Sequence, residues 1–284
     1  MKWGRGIAEP FVESILHPTD YSTESINAFH HALAIGLCRR TQLTILHAES
    51  TSENGSPGAS VRMTLEGWRR LKPGSPRSAV FDELELIVKK VKMHKRNPLA
   101  ATLEYLERSP HDLIVLATAG REGVSRWIRP SIAERIAAQS KTMTLFVAGG
   151  NDGIVVPATG RIKLRRMLVP VATHPPAHRA IANAVRLARL APDQPVEVVL
   201  LHVGDETGMP ALNLPEDNAC QWQTLGRSGE VVEQIAATAS EKECDLIVMT
   251  TAGHHGLLDS LRGSITEQVV RRAPCPLLAV PATE

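Results

Sequence analysis

One segment of this chain occurs twice. Residues 112–134 (DLIVLATAGREGVSRWIRPSIAE) align without a gap onto residues 245–267 (DLIVMTTAGHHGLLDSLRGSITE), and 12 of the 23 positions are identical. The repetition extends upstream, because residues 15–20 resemble residues 167–172 and residues 43–48 resemble residues 198–203. The 284 residues therefore divide into two copies of one domain, which agrees with the usual ~100 to 200 residues per domain.

The repeat sets the expected domain boundaries. We predict a first domain at residues 14–148 and a second domain at residues 164–282, joined by a linker at residues 149–163. The linker sequence GGNDGIVVPATGRIK contains the turn signal NDG.

Short apolar segments alternate with amphipathic segments in both copies. In the first copy we predict strands at residues 14–18, 43–47, 84–93, 113–117 and 142–147, and helices at residues 22–39, 61–71, 97–108 and from 131 onward. In the second copy we predict helices at residues 177–190, 229–240 and 264–272, whereas Pro210 and Pro215 disfavour a helix within residues 204–221. Continuous apolar strands separated by helices predict an α/β fold with two five-stranded parallel sheets, of the Rossmann-like type, covered by helices on both faces.

Composition and charge limit the partners to be expected. The formal net charge is +2, with 32 basic and 30 acidic residues, so nucleic-acid binding is disfavoured. The basic pairs are interpreted as solvated ends of helices or strands, namely Arg69–Arg70, Arg165–Arg166 and Arg271–Arg272. No apolar run approaches the ~18 residues of a membrane span, and the N-terminus lacks the apolar core of a secretion signal. We therefore expect a cytoplasmic protein with no membrane segment.

The four cysteines show no CxxC or metal-ligand spacing. We interpret them as buried thiols of a reducing compartment. The adjacent pair His254–His255 has no third ligand in view, so no metal site is predicted. His47 and His202 close equivalent strands, and their paired occurrence favours a structural hydrogen bond over catalysis.

The loop after the fourth strand of the second copy carries the strongest candidate site. It reads Gly253-His254-His255-Gly256, then six residues, then Gly263-Ser264. In a parallel sheet, ligands bind where strands end at their carboxyl termini, and glycines followed by a helix start present backbone amides that suit a phosphate. A second interpretation stays open, because Ser264-x-x-Glu267 and Ser131-x-x-Glu134 have the spacing of a capping box, and the glycines would then only form turns.

Together these motifs resemble the universal stress protein family over residues 14–281. Nucleotide-binding members of that family carry Gly-x2-Gly-x9-Gly-(Ser/Thr) after the fourth strand and an Asp after the first strand. Pro18, Thr19 and Asp20 match the second of these motifs, and Gly253, Gly256, Gly263 and Ser264 match the first. The resemblance implies that the fifth strands, residues 142–147 and 277–280, pair to form an intramolecular pseudo-dimer, while a homodimer stays open.

The resemblance also implies a set of nucleotide-binding residues. They are Pro170, Val171, Gly253, Gly256, Gly263, Ser264, Ile265 and Thr266 in the second copy, and Pro18, Thr19, Asp20, Gly120, Gly123 and Ser131 in the first. Arg129 and Arg262 are further candidates for neutralising phosphate charge, although surface arginines of no special role are the more ordinary interpretation.

Three departures from the family pattern bear on this site. Both copies have six residues where the family has nine. Pro130 replaces the third glycine of the first copy, which removes an amide donor, and Ala172 replaces Asp20 in the second copy. We therefore expect tight binding in one half only, the second, since several amides are harder to replace than one carboxylate.

The function implied by the resemblance is that of a cytosolic stress-response protein. It would bind ATP, with or without Mg²⁺, or a related adenine nucleotide, and act as a regulator or sensor through a protein partner that the sequence does not identify. Asp20 is a candidate general base, but no nucleophile motif such as GxSxG accompanies it. Efficient catalysis is therefore not expected. The alternatives are a nucleotide-free scaffold acting by protein contacts and a weak ATPase or adenylating enzyme.

Overall fold

Ten strands form a single sheet in the computed structural model, which describes residues 11–38, 41–48, 60–95, 97–118, 132–148, 153–191, 194–205, 208–251 and 264–282. The strands are β1 (Ser14–Thr19), β2 (Gln42–Ala48), β3 (Ile87–Met93), β4 (Leu113–Thr118), β5 (Met143–Ala148), β6 (Arg166–Pro170), β7 (Val196–Val203), β8 (Cys220–Arg227), β9 (Leu246–Thr251) and β10 (Leu277–Pro281). Their order is β3-β2-β1-β4-β5-β10-β9-β6-β7-β8. Each half of the sheet is parallel and has the same internal order, which confirms the predicted α/β fold.

Helices cover both faces of the sheet. They are α1 (Thr23–Gly36), α2 (Val61–Gly67), α3 (Ala79–Asp82), α4 (Pro98–Arg108), α5 (Ile132–Ser140), α6 (His178–Ala188), α7 (Val231–Glu241) and α8 (Ile265–Arg272). Buried side chains of α1, α2, α3 and α6 pack into one core, and those of α4, α5, α7 and α8 pack into a second core on the opposite face. In the described part of the chain, no helix has the length and apolar character needed to cross a bilayer.

Local signals fix where several helices begin. Ser22 caps α1 by accepting a hydrogen bond from the Ser25 amide, and Asn97 caps α4, where Pro98 occupies the first helical position. The described residues between β7 and β8 contain no α-helix, in agreement with the two prolines there.

Three predicted boundaries are wrong at one end. The helix predicted at residues 61–71 ends at Gly67, because Arg69 adopts a φ of 56° and the amides of Arg70 and Leu71 turn back to the Leu65 carbonyl. The strand predicted from residue 84 begins at Ile87, because the short helix α3 and the turn at residue 85 precede it. The helix predicted to reach residue 39 ends at Gly36.

The expectation of buried cysteines is correct for two of the four. Burial raises the pKa of the Cys220 thiol to about 11 and that of the Cys244 thiol to about 12, so both stay protonated at neutral pH. The expectation is wrong for Cys38, which is exposed where the chain leaves α1, and Cys275 is only partly buried.

The two halves meet through their fifth strands, as predicted. β5 and β10 are antiparallel, with Leu278 opposite Leu145, and this pairing joins two five-stranded sheets into one. It also covers the sheet edge that each half would otherwise leave open. The predicted pseudo-dimer within one chain is therefore confirmed.

An ion pair links the helices of the two halves across this junction. Arg271 of α8 donates from Nε and from a terminal nitrogen to the two carboxylate oxygens of Glu134 of α5, both at 2.9 Å. The Glu134 side chain is only 4% exposed. The sequence-based interpretation of Arg271 as a solvated helix end is thus wrong, since Glu134 of the other half holds it. Arg166 is not purely solvated either, because it pairs with Glu197.

Residues 153–163, within the predicted linker, pack on the first half. Val155 and Ile162 form an antiparallel bridge, and the Trp68 indole nitrogen donates to the Pro157 carbonyl at 2.7 Å. Gly160 lies against the face of Trp68 with a φ of 65°. The segment is therefore held by a specific contact between backbone and indole ring.

This contact predicts a large cost for a methyl group at residue 160. A Cβ atom on Gly160 would lie 2.2 Å from Trp68 Cε3, whereas a Cβ atom on Gly74, which has a φ of 79°, would have nothing within 4 Å. We expect Gly160→Ala to lower the free energy of unfolding by about 2 kcal/mol more than Gly74→Ala, which carries the backbone strain alone. Urea unfolding followed by circular dichroism measures both losses, and equal losses would contradict the packing on Trp68.

Candidate functional site

The second half brings two strand ends and one helix start to the same edge of the sheet. β6 and β9 are parallel neighbours, so Pro170 and Thr251 end them on one edge. Val171 follows β6 and donates its amide to the Leu201 carbonyl. α8 begins after Ser264, which is the first described residue beyond the loop that follows β9. The predicted residues Pro170, Val171 and Ser264 thus belong to elements that meet at the carboxyl edge of the parallel strands, the edge at which open α/β sheets generally bind ligands.

Ser264 and Glu267 form the predicted capping box. The Ser264 hydroxyl accepts from the Glu267 amide, and the Glu267 carboxylate accepts from the Ser264 amide, each at 3.2 Å. The cap uses the third amide of the helix and leaves those of Ile265 and Thr266, which have no acceptor within an α-helix. Ile265 is 46% exposed, so this first turn is open to a ligand. Capping and anion binding are therefore compatible at this helix.

Thr250 adds a second feature at the same edge. It is the penultimate residue of β9 and is 7% exposed, and within the described part of the molecule its hydroxyl has no hydrogen-bond partner. A buried hydroxyl without a partner is costly. By the alternation along β9, Thr250 shares the sheet face of Leu246 and Val248, which α6 covers, and not the face on which α8 packs. Sequence reasoning missed Thr250, because a threonine in a strand is an ordinary β-sheet residue.

Equivalent histidines close the second strand of each half. His47 donates from Nδ1 to the Thr19 carbonyl at 2.8 Å, and His202 donates from Nδ1 to the Val171 carbonyl at 3.2 Å. The imidazole therefore ties the end of one strand to the residue that ends or follows the neighbouring strand. This confirms the structural interpretation of both histidines.

In the first half, Thr19 and Asp20 of the Pro-Thr-Asp motif accept hydrogen bonds from amides of their own turn. Asp20 accepts from the Ser22 amide at 2.9 Å, and the Thr19 hydroxyl accepts from the Tyr21 amide at 3.0 Å. The Tyr21 ring stacks on His47 with a centroid separation of 4.5 Å, a contact that sequence reasoning missed. Partial desolvation alone would raise the pKa of Asp20, but hydrogen bonds from the Ser22 side chain and backbone outweigh it, so the pKa is lowered. Asp20 is thus an ionised turn acceptor at neutral pH.

Several predicted site residues lie outside the described residues. They are Gly120, Gly123, Ser131, Gly253, Gly256 and Gly263, together with Arg129, Pro130, Arg262 and the pair His254–His255. The glycine loops therefore remain sequence-based predictions. Among the residues that the structure does describe, no cluster of three His, Cys, Asp or Glu side chains is suited to a metal ion.

Comparisons with known proteins agree with the two-fold repeat and the α/β fold. The model of the universal stress protein family matches residues 12–148 and 212–281. A universal stress protein of Methanocaldococcus jannaschii is 38% identical over 79 residues, which are 26% of this chain and 46% of that protein. Universal stress protein YxiE of Bacillus subtilis is 26% identical over 147 residues, which are 40% of this chain and 97% of that protein. The chain thus spans about half the length of the first of these relatives.

A solved structure matches nearly the whole chain. The crystal structure of a universal stress protein from Archaeoglobus fulgidus covers 97% of this chain and 100% of its own length, with a TM-score of 0.64. The sequence identity is 16%, so this likeness shows the shared fold alone.

Proposed function

Because the chain belongs to the universal stress protein family, we propose that it binds ATP or a related adenine nucleotide in its second half. Bound there, the nucleotide would make the protein a cytosolic stress-response regulator or sensor without efficient turnover. The observation that carries this proposal is the open first turn of α8 at the edge where β6 and β9 end. Amides at a helix start, together with the helix dipole, favour a phosphate group.

The two halves are not equivalent as binding sites. In the second half, Ser264 caps α8 while the amides of Ile265 and Thr266 face no intrahelical acceptor. In the first half, Asp20 and Thr19 are already bonded within their own turn. These contacts support nucleotide binding in the second half, with the glycines of its loop, Gly253, Gly256 and Gly263, against the phosphates. A Mg²⁺ ion would be coordinated by the phosphate oxygens of the nucleotide.

α8 connects this site with the other half of the molecule. Its first turn begins at the proposed phosphate position, and Arg271 in its last turn pairs with Glu134 of the first half. A nucleotide that prefers one position of α8 would therefore favour one arrangement of the two halves and change the surface offered to a protein partner. A scaffold that works by protein contacts without nucleotide would not need this connection.

A pair of equivalent substitutions tests which half binds. Ile265 and Ile132 occupy matching positions of the repeat, in the first turns of α8 and α5, and are 46% and 47% exposed. We expect Ile265→Glu to weaken ATP binding by about tenfold or more, because a carboxylate then lies beside the phosphates. Ile132→Glu changes the net charge equally and should leave binding unchanged. Isothermal titration calorimetry of ATP into the full chain measures both.

Both variants should fold, because a glutamate in the first turn of a helix interacts favourably with the helix dipole. A difference in their ATP affinities therefore reports on binding. Equal affinities of the two variants for ATP would contradict binding at α8. A loss of ATP affinity confined to Ile132→Glu would show that the nucleotide binds in the first half.

A further inference from the structure

A cleft with a volume of about 550 Å³ lies between the two halves. Its wall on the first half includes Lys141 and Met143 at the start of β5, and its wall on the second half includes Arg179, Asn183 and Arg186 of α6. The volume is in the range of small-molecule sites, roughly 300 to 1,000 Å³. None of the residues predicted to bind nucleotide lines this cleft.

The internal repeat gives this cleft a counterpart on the other side of the junction. Buried residues of α1 and α6 coincide at a constant separation of 152 positions, namely Ala28 and Ala180, Phe29 and Ile181, Ala32 and Ala184, Leu33 and Val185. This alignment places His31 where Asn183 stands. The strands coincide at a separation of 133, which places Pro276 where Met143 stands. The counterpart is therefore the space between His31 and Pro276.

The counterpart space is filled by the chain itself. The Ile154 amide donates to His31 Nε2 at 3.0 Å, and Ile154 is fully buried. A Cβ atom on Gly153 would lie 2.3 Å from His31 Nε2 and 3.2 Å from Pro276 Cγ, so only a glycine fits there. Residues 153–154 thus occupy the space that stays open between Asn183 and Met143.

The open cleft also differs from its counterpart in charge. Arg179, Asn183 and Arg186 follow a spacing of four and three residues, which places them on one face of α6. The positions that correspond to the two arginines on α1 are Asn27 and Ala34, both uncharged. Lys141 adds a cation from the first half, and within the described ranges neither Lys141 nor Arg179 forms an ion pair.

In the described part of the chain, the two acidic residues that line the cleft form no ion pair with Lys141 or Arg179. Asp112 directs one carboxylate oxygen at the amides of Glu13 and Ser14 and at the Ser14 hydroxyl, at 2.9 to 3.0 Å. Its charge is therefore largely compensated by the start of β1. Glu13 is exposed. Lys141 and Arg179, on the two facing walls, are therefore available to one anion.

We propose that this cleft binds a small organic phosphate between Lys141 of the first half and Arg179 of the second. A phosphate monoester carries close to two negative charges at neutral pH, and arginine binds its oxygens in a bidentate manner. The apolar side chains of Phe11, Met143 and Val280 line the same cleft and would contact the organic part. Because the ligand bridges both halves, it holds them in one arrangement from a position separate from α8.

Phenyl phosphate titrated calorimetrically into the full chain tests this proposal. We expect Arg179→Gln to weaken binding by about tenfold, since the guanidinium supplies charged hydrogen bonds. Lys141→Asn should also weaken it from the opposite wall, and asparagine tolerates the φ of 54° found there. The control is Arg77→Gln, which removes the same charge from an exposed arginine that does not line the cleft.

The remaining outcomes decide against the proposal. Absence of binding by the unmodified chain at millimolar phenyl phosphate overturns it, and so does equal binding by the cleft and control variants. Inorganic phosphate binding as tightly as phenyl phosphate excludes the organic contact. The Ile265→Glu variant should bind phenyl phosphate normally, so a failure here is distinct from a failure of nucleotide binding at α8.

Discussion

We expect the Arg271→Met variant to lose about 3 kcal/mol of unfolding free energy, because it removes the guanidinium that neutralises the buried carboxylate of Glu134. The Glu134 side chain is 4% exposed and spends both oxygens on Arg271. Water cannot replace the guanidinium at so buried a carboxylate. Urea unfolding at neutral pH measures the loss. Arg135→Met is the control, because Arg135 lies on the same helix as Glu134 but is exposed.

The double variant Glu134→Gln/Arg271→Met separates the ion pair from simple packing. Removing both charges should restore most of the lost stability, since the desolvation cost of the carboxylate then disappears. A loss for Arg271→Met no larger than that for Arg135→Met would show that the pair adds nothing at the junction of the two halves.

Acidification from pH 7 to pH 4 should lower the unfolding free energy by about 6 kcal/mol through two buried histidines, His17 and His31. Burial lowers the pKa of each imidazole from 6.5 to about 4. Below pH 6.5 the unfolded chain binds a proton at each histidine while the folded protein does not. Stability is therefore complete above pH 6.5 and is lost as the pH falls towards 4, by about 3 kcal/mol per histidine.

Replacement of one buried histidine tests this dependence. His17 donates from Nδ1 to the Val115 carbonyl at 3.0 Å, whereas its Nε2 has no hydrogen-bond partner within the described structure. His17→Leu therefore loses one hydrogen bond, about 1 kcal/mol at pH 7, and should remove about 3 kcal/mol of the acid-induced loss. The control is His178→Leu, which replaces an exposed histidine instead of a buried one. Urea unfolding at pH 7, 6, 5 and 4 provides the measurement. If the unfolding free energy of His17→Leu fell with pH as much as that of the unmodified protein, the acid-induced loss could not be assigned to His17.

The interior of the sheet was predictable from the sequence because its strands are apolar throughout. β4 and β9 are buried along nearly their whole length, and they read as LIVLA and LIVMT. The edge strands are harder to predict. β8 alternates polar and apolar residues, and β3 carries three lysines, as is common for sheet edges. The repeat predicted a third strand in the second copy without giving its bounds, and the predicted start of β3 was too early.

The candidate site was predictable where a local motif specifies it. Ser264-x-x-Glu267 predicts a capping box by spacing alone, and the structure contains it. The pairing of Glu134 with Arg271 could not be predicted, because the residues are 137 positions apart and the first copy has Ala138 at the position that matches Arg271. The difference between the open cleft and its filled counterpart likewise depends on how residues 153–154 pack against His31, which no sequence pattern indicates.

The number of nucleotides bound per chain tests the central claim most directly. We propose that one half binds and the other does not, so native mass spectrometry of the full chain with excess ATP should show one nucleotide per chain. The Ile265→Glu variant should show none under the same conditions. Two nucleotides per chain, or none in the unmodified protein, would contradict the account.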